Sequence, residues 1–394
     1  MNHLLIALVA MFVQQSFVTI GRTLPAVIAP AIIADLRYDA AWIGVYFACV
    51  AVSSLVVQLG CGGFIIRYGA LRMSQMSLFL IAAGSATATL GTTATLILSA
   101  FLTGAGSALS TPSSSHLLGR CSPPRYLPLV FSLKQTAVPA GMLLAGLLGP
   151  PMTQIFDWRP VMLASAIACA VFGLLMQPLR PRFDDDRIPD HPMRLSDLGE
   201  TLSLVWRQPR LRTLSFACLA FIGLQTIMTA YFVVFLTNIG YEPVTAGLIF
   251  SMAVLVAMPG RILWGWLASG HVSLRVMLGA LALGMAAGST LLGLCNANSP
   301  LVVVGAVACL LSATALSWHG VLLAEAARAA PEGRRGAATG GVLSFGQVGG
   351  LVEPMVFSAL LGATGGYVAG FIACSVPALV VGVMMLLRRS TAAK

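Results

Sequence analysis

The stretch LRTLSFACLAFIGLQTIMTAYFVVFLTN, Leu211 to Asn238, decides the fold class. After Arg212 it carries no charged side chain. As a helix rising 1.5 Å per residue it reaches about 40 Å, more than the ~30 Å of a bilayer's hydrocarbon core. Its apolar residues form a continuous run, not the polar–apolar alternation of a barrel strand. Backbone amides in hydrocarbon have no water to bond, so such a run must satisfy them within its own helix.

The rest of the chain repeats this pattern. Of 394 residues, 58% are hydrophobic and 9% charged, against roughly 25% charged in a soluble domain. Apolar runs place spans at 4–33, 41–63, 73–92, 94–118, 127–154 and 160–178, then at 211–238, 244–268, 274–295, 300–325, 337–362 and 367–387. The expected fold class is all-α integral membrane, with twelve transmembrane helices. The first run lacks a basic leader and a cleavage site, so it reads as a retained helix and not a signal peptide.

The net charge of +10 is scattered over short loops and does not indicate a nucleic-acid partner. Eighteen of the 23 Lys and Arg residues fall on one side when both termini are placed in the cytoplasm. That bias is the positive-inside pattern. Only Arg37 and Arg159 lie on the other side, while Arg22, Lys134 and Arg261 fall within spans. The expected location is a bacterial inner membrane, as a multi-pass monomer in contact with lipid. The eight cysteines are dispersed, which suggests packing and indicates neither disulfides nor a metal site. No cofactor is expected.

Residues 180–210 separate two groups of six spans, giving an N-terminal bundle at 1–179, a cytoplasmic linker at 180–210 and a C-terminal bundle at 211–394. The linker holds Asp184, Asp185 and Asp186, then an amphipathic stretch from Leu195 to Trp206. It reads as a solvated connector.

The halves repeat weakly. Gly44 and Gly62 match Gly247 and Gly265 at one offset, and Phe131 to Gln135 matches Leu343 to Gln347. With this repeat the chain resembles the major facilitator superfamily over nearly its whole length. The loop after the second span is similar to that family's G-x-x-x-D-R-x-G-x-x-R: Gly62, Arg67, Gly69 and Arg72 fit, and Ile66 replaces the acid. In the second copy Ser269 and Gly270 replace the acid and the base.

The resemblance implies a secondary transporter that is not an enzyme, with two six-helix bundles rocking about a central cavity. Spans one, four, seven and ten would line that cavity. Arg67, Gly69 and Arg72 would belong to the gating loop, and Arg261 would act as a gate-stabilising ion pair. Gly141, Gly146 and Gly149 in span five would allow close helix approach.

Charges within spans are costly and tend to face a cavity or a partner. Arg22 follows a polar stripe of Gln14, Gln15, Ser16 and Thr19. It either holds an anionic substrate or forms a structural ion pair with a residue such as Glu353. Lys134, followed by Gln135, either contacts the anion or snorkels to the cytoplasmic headgroups. Glu353, the one acid deep in a span, either couples proton movement or partners Arg22 or Arg261. His319 in span ten either handles a proton or substrate, or bonds a neighbouring helix. Gln225, Tyr231 and Gln347 offer neutral contacts from the second half. The expected activity is proton-coupled movement of a small organic anion, a symport. A multidrug or metabolite exporter is the alternative, and a membrane-embedded enzyme lacks a motif.

Overall fold

A computed structural model describes residues 2–122, 130, 133–190, 196–268, 272–330 and 335–387. Among them the regular structure is helical. The first half contains α1 (Asn2–Val27), α2 (Ala29–Leu36), α3 (Trp42–Tyr68), α4 (Ala70–Ala88), α5 (Thr93–Cys121), α6 (Ala137–Phe156), α7 (Trp158–Leu175) and the short α8 (Arg180–Phe183). The remainder contains α9 (Ser196–Arg207), α10 (Pro209–Asn238), α11 (Pro243–Ala268), α12 (Leu274–Leu294), α13 (Leu301–Ala315), α14 (His319–Ala329), α15 (Arg335–Thr364) and α16 (Tyr367–Leu387).

Nine helices among the described residues are long and apolar enough to cross a membrane. In α3, the segments Trp42–Gln58 and Gly60–Tyr68 meet at a 57° bend and count as a tenth. The expected third and fifth spans fall on α4 and α6, which are richer in Ser, Thr, Gly and Pro. Large apolar side chains such as Leu5, Val56, Leu174, Val302 and Leu387 remain exposed. In water such a surface would mark an interaction face; on spanning helices it is the surface that meets lipid.

Two expected spans are broken. The first is interrupted at Ile28, between Pro25 and Pro30: α1 stops at Val27 and α2 restarts with Pro30 in its first turn. Proline lacks the N–H that would continue the ladder, but it fits a helix's first turn. The tenth is interrupted at Leu316–Trp318, where no Pro or Gly explains the break. In the linker, α9 coincides with the expected amphipathic stretch.

The chain forms two compact units. One comprises Met1–Asp39, Tyr46–Leu198 and Pro243–Ser251; the other comprises Ala40–Val45, Gly199–Glu242 and Met252–Lys394. The core of the first packs α1, α4, α5 and α7 around Met11, Leu71, Leu78, Ile81 and Cys169. Glycines set its closest approaches. A Cβ on Gly141 of α6 would lie 2.7 Å from the Ser16 carbonyl oxygen and from Thr19 Cβ of α1, so this crossing requires glycine. In the second unit, Gly346 and Gly349 of α15 press onto Cys218, Leu219 and Ile222 of α10 with no room for a Cβ. An aromatic cluster of Tyr231, Phe235, Phe357, Tyr367 and Phe371 closes one region of this core.

The start of the linker is docked, which corrects the expectation of a solvated connector. Asp184 is 5% exposed. Its carboxylate accepts from the amides of Leu71 (2.7 Å) and Arg72 (3.0 Å) at the first turn of α4. Those amides have no intrahelical acceptor, and the positive end of the helix dipole favours an anion there. Arg120 of α5 pairs with Asp185 (2.6 Å) and Asp186 (2.5 Å), and His116 contacts Asp186 at 2.9 Å. The Ile188 amide donates to the Ile66 carbonyl at the end of α3 (2.8 Å). Three acidic residues and one backbone amide of this segment therefore tie together the adjoining ends of α3, α4 and α5.

Candidate functional site

In the first unit the polar stripe of α1 becomes a buried cluster. Gln14, Lys134 and Ser110 are 0% exposed and Gln15 is 5% exposed. Lys134 lies in the short helical piece at 133–135, one turn before α6. The Gly141 crossing seats that segment against α1, where Ser16 Oγ lies 3.5 Å from the Ala137 carbonyl. Lys134 Nζ donates to Gln15 Oε1 at 3.1 Å. Ser110 Oγ (2.9 Å) and Thr111 Oγ1 (3.3 Å) of α5 donate to the same oxygen. Ser110 is also 3.0 Å from Gln14 Oε1, whose amide nitrogen is held by the Ser74 carbonyl and Ser77 Oγ of α4, each at 3.3 Å.

The snorkelling alternative for Lys134 is thereby corrected. Its ammonium is enclosed by helices and bonded inward, with no path along the surface to headgroups. Among the described residues no carboxylate pairs with it. A buried cation without a counter-charge is an expensive arrangement, which an anionic ligand relieves.

Arg22 occupies the same face of α1 as Gln15 and Thr19, at i+7 and i+3. It stands about 10 Å from Gln15 along the axis. It is partly exposed, and no ion pair or hydrogen bond reaches it among the described residues. Gln135 is half-buried beside Lys134.

In the second unit Glu353 of α15 is 4% exposed, and neither carboxylate oxygen has a hydrogen-bond partner among the described residues. It packs against Gly223 of α10, where a Cβ would collide with the carboxyl group. Among the described residues no ion pair joins it to Arg261 of the same unit.

Arg261 of α11 instead donates its Nε to the Leu316 carbonyl at 2.8 Å. Trp264 Nε1 donates to the Ala313 carbonyl (2.8 Å), and Ser317 Oγ donates to the Ala257 carbonyl (3.1 Å). These three bonds explain the break in span ten: side chains of α11 take carbonyls from the end of α13, and Ser317 bonds back to α11.

Beyond the break, Trp318 donates to Gln225 Oε1 at 3.1 Å and stacks on the His319 ring at 3.8 Å. Gln225 and His319 therefore share one aromatic–amide patch. Gln347 is half-buried one turn before Gly350 on α15. Tyr231 is fully buried and stacked on Phe357 at 4.0 Å, so it serves the core.

In the loop after α3, Gly69 adopts φ +98° and leaves room for Asp184 that a Cβ would fill. Arg67 lies over the Tyr68 ring at 5.6 Å, and Arg72 contributes its backbone amide to Asp184. The acid absent at Ile66 is supplied from the linker. The Asp184 carboxyl is pushed up by burial, opposed by the two amides and Arg180. Burial would also raise Asp186, but His116 and Arg120 outweigh it and hold that group below its ordinary value. Ser269, Gly270 and His271 of the second copy lie outside the described residues.

On the opposite end of the first unit, Asp35 pairs with Arg159 at 2.8 Å and accepts from Trp158 Nε1 at 3.0 Å. Sequence reasoning identified Lys134 as an isolated charge. It missed Ser110 and Thr111, whose only signal is a run of hydroxyls in α5.

The sequence profile of the Major Facilitator Superfamily matches residues 11–352. The chain belongs to this superfamily. It is thus a multi-pass membrane protein of a transporter superfamily. It is 25% identical over 150 residues to the 4-hydroxybenzoate transporter PcaK of Pseudomonas aeruginosa. That match covers 38% of this chain and 34%, about a third, of the relative.

The fold is similar to a bacterial homolog of the human lysosomal transporter Spinster in an inward-facing, occupied conformation. The TM-score is 0.73 at 16% identity, over 96% of this chain and 95% of that one. It is also similar to a POT family transporter in complex with a thioalcohol-conjugated peptide. There the TM-score is 0.76 at 15% identity, over 98% and 95% of the two chains.

Proposed function

We propose that this superfamily member carries a small organic anion of the carboxylate kind inward together with a proton. The observation that supports it is Lys134, fully buried and bonded to a neutral amide, with no carboxylate beside it among the described residues. An anion supplies the missing charge there, and Arg22, seven residues further along α1, offers a second cation on the same helix face. The partial similarity to a 4-hydroxybenzoate transporter agrees with an anionic substrate.

Glu353 is the proposed proton carrier. A carboxyl buried without donors or a cation exchanges a proton more readily than it holds a charge. His319 and Gln225 lie in a polar patch of the same unit. In this reading the bundles are 1–179 and 211–394, with both termini and the 180–210 linker in the cytoplasm of a bacterial inner membrane.

The test is uptake of labelled carboxylates, 4-hydroxybenzoate among them, into proteoliposomes with and without an inward acid gradient. Gradient-driven accumulation that disappears in Glu353→Gln, with exchange retained, is the expected result. Accumulation of lipophilic cations and of no acid would overturn it.

A further inference from the structure

Building on that anion reading, we propose that the hydroxyls of Ser110 and Thr111 together with Lys134 Nζ are the carboxylate-binding groups, and that Gln15 Oε1 holds the place a substrate oxygen takes.

The geometry points there because three donor groups lie within reach of one amide oxygen. Lys134 Nζ at 3.1 Å and Thr111 Oγ1 at 3.3 Å donate to Gln15 Oε1, and the single hydroxyl hydrogen of Ser110 serves either that oxygen at 2.9 Å or Gln14 Oε1 at 3.0 Å. An amide oxygen has two lone pairs, whereas a carboxylate offers about four acceptor sites over two oxygens. The Lys134 ammonium has three N–H groups, and bonds from a cation to an anion are roughly twice as strong as neutral ones. A carboxylate therefore satisfies this donor set better than the side chain that now meets it.

The two adjacent glutamines are held very differently. Gln14 is held through its amide nitrogen by the Ser74 carbonyl and Ser77 Oγ of a neighbouring helix, and its oxygen shares the one Ser110 hydroxyl hydrogen with Gln15. Among the described residues, Gln15 is anchored through nitrogen only to Thr19 Oγ1, at 3.5 Å and on its own helix. It can swing away while Gln14 keeps Ser110 in place. Once turned, its amide N–H becomes one more donor to the arriving carboxylate. The selecting elements are thus a fixed wall of Gln14, Ser110 and Thr111, a cation at Lys134, and one movable amide.

The experiment is binding of labelled 4-hydroxybenzoate, benzoate, succinate and pyruvate to the purified full chain, with thermal stability followed for each variant. Gln15→Glu places a tethered carboxylate at the donors. It is expected to lower affinity by about 100-fold or more while leaving stability equal or higher, because an internal ion pair forms. Gln15→Ala removes the competitor and is expected to tighten binding by about 2- to 10-fold. Ser110→Ala and Thr111→Ala are each expected to weaken it by about 2- to 10-fold.

Wild-type-like binding by Gln15→Glu, or loss in Gln15→Ala as complete as in Gln15→Glu, overturns this inference while the anion reading stands. Failure of the wild type to bind any of the four acids overturns both.

Discussion

Replacing Lys134 by Met separates a structural role from a functional one by the sign of the stability change. The side chains have similar reach, so little cavity or strain is introduced. The substitution removes one hydrogen bond, of 3.1 Å to Gln15 Oε1, with a net contribution of about 0.5–1.5 kcal/mol. That oxygen still accepts from Ser110 and Thr111, so no buried acceptor is orphaned.

Against this cost stands the relief of desolvation, since no carboxylate among the described residues offsets the buried amine. Substituting apolar residues for buried charged groups has stabilised proteins by about 1–4 kcal/mol. The balance for Lys134→Met is therefore unchanged stability or a gain of up to about 3 kcal/mol. Transport should move oppositely: without a charge-assisted hydrogen bond worth about 1.5–3 kcal/mol, carboxylate affinity weakens roughly 10- to 150-fold.

The assay is a thermal or denaturant melt of detergent-purified protein paired with uptake in proteoliposomes. A variant destabilised by more than about 1 kcal/mol that transports normally would show Lys134 to be a structural residue and refute the reasoning.

Gly349→Leu should separate α15 from α10 because Leu219's backbone oxygen already fills the Cβ position; overpacking of this kind costs about 1–3 kcal/mol or more, visible as a lower melting temperature. Asp184→Ala removes the acceptor of two α4 amides and should cost about 1–2 kcal/mol, measured by hydrogen exchange at Leu71 and Arg72. Asp186 sits below its ordinary value in the folded chain, so its contribution is present above about pH 4, the unfolded carboxylate value. It fades as pH falls through the lower folded value. The stability gap between wild type and Asp186→Asn, under about 1 kcal/mol, should therefore be present at pH 6 and close on acidification. Arg261→Met frees the Leu316 carbonyl and should increase exchange at 315–319 more than elsewhere in the unit.

The helical, multi-pass character was legible because each span is a long local run, and hydrocarbon solvation acts on every residue of that run alike. The break at Leu316–Trp318 was not legible. The segment ALSWHG carries no helix breaker before Gly320, and the cause is a set of bonds involving Arg261, Trp264 and Ser317. Pro25 and Pro30 did announce the break at Ile28, yet the run around them was apolar enough to read as one span.

Lys134 was visible as a charge in the wrong solvent. The convergence of Ser110, Thr111 and Lys134 on Gln15 was not, because Gln15 is separated from each of them by roughly a hundred positions and nothing local couples them. Ile66 was visible as a missing acid. Its replacement by Asp184, in a segment that reads as polar surface, depends on the free amides of α4 lying where the linker passes.

The docking of Asp184 to Ile188 has a consequence for cutting the gene in two. A chain break after Asp190 leaves those tethers covalently attached to the first unit. A break before Phe183 assigns them to the other fragment, where pairing with Leu71, Arg72 and Arg120 becomes a bimolecular event that depends on concentration. Fragment complementation should therefore tolerate the first cut and fail with the second, although the two sites are eight residues apart.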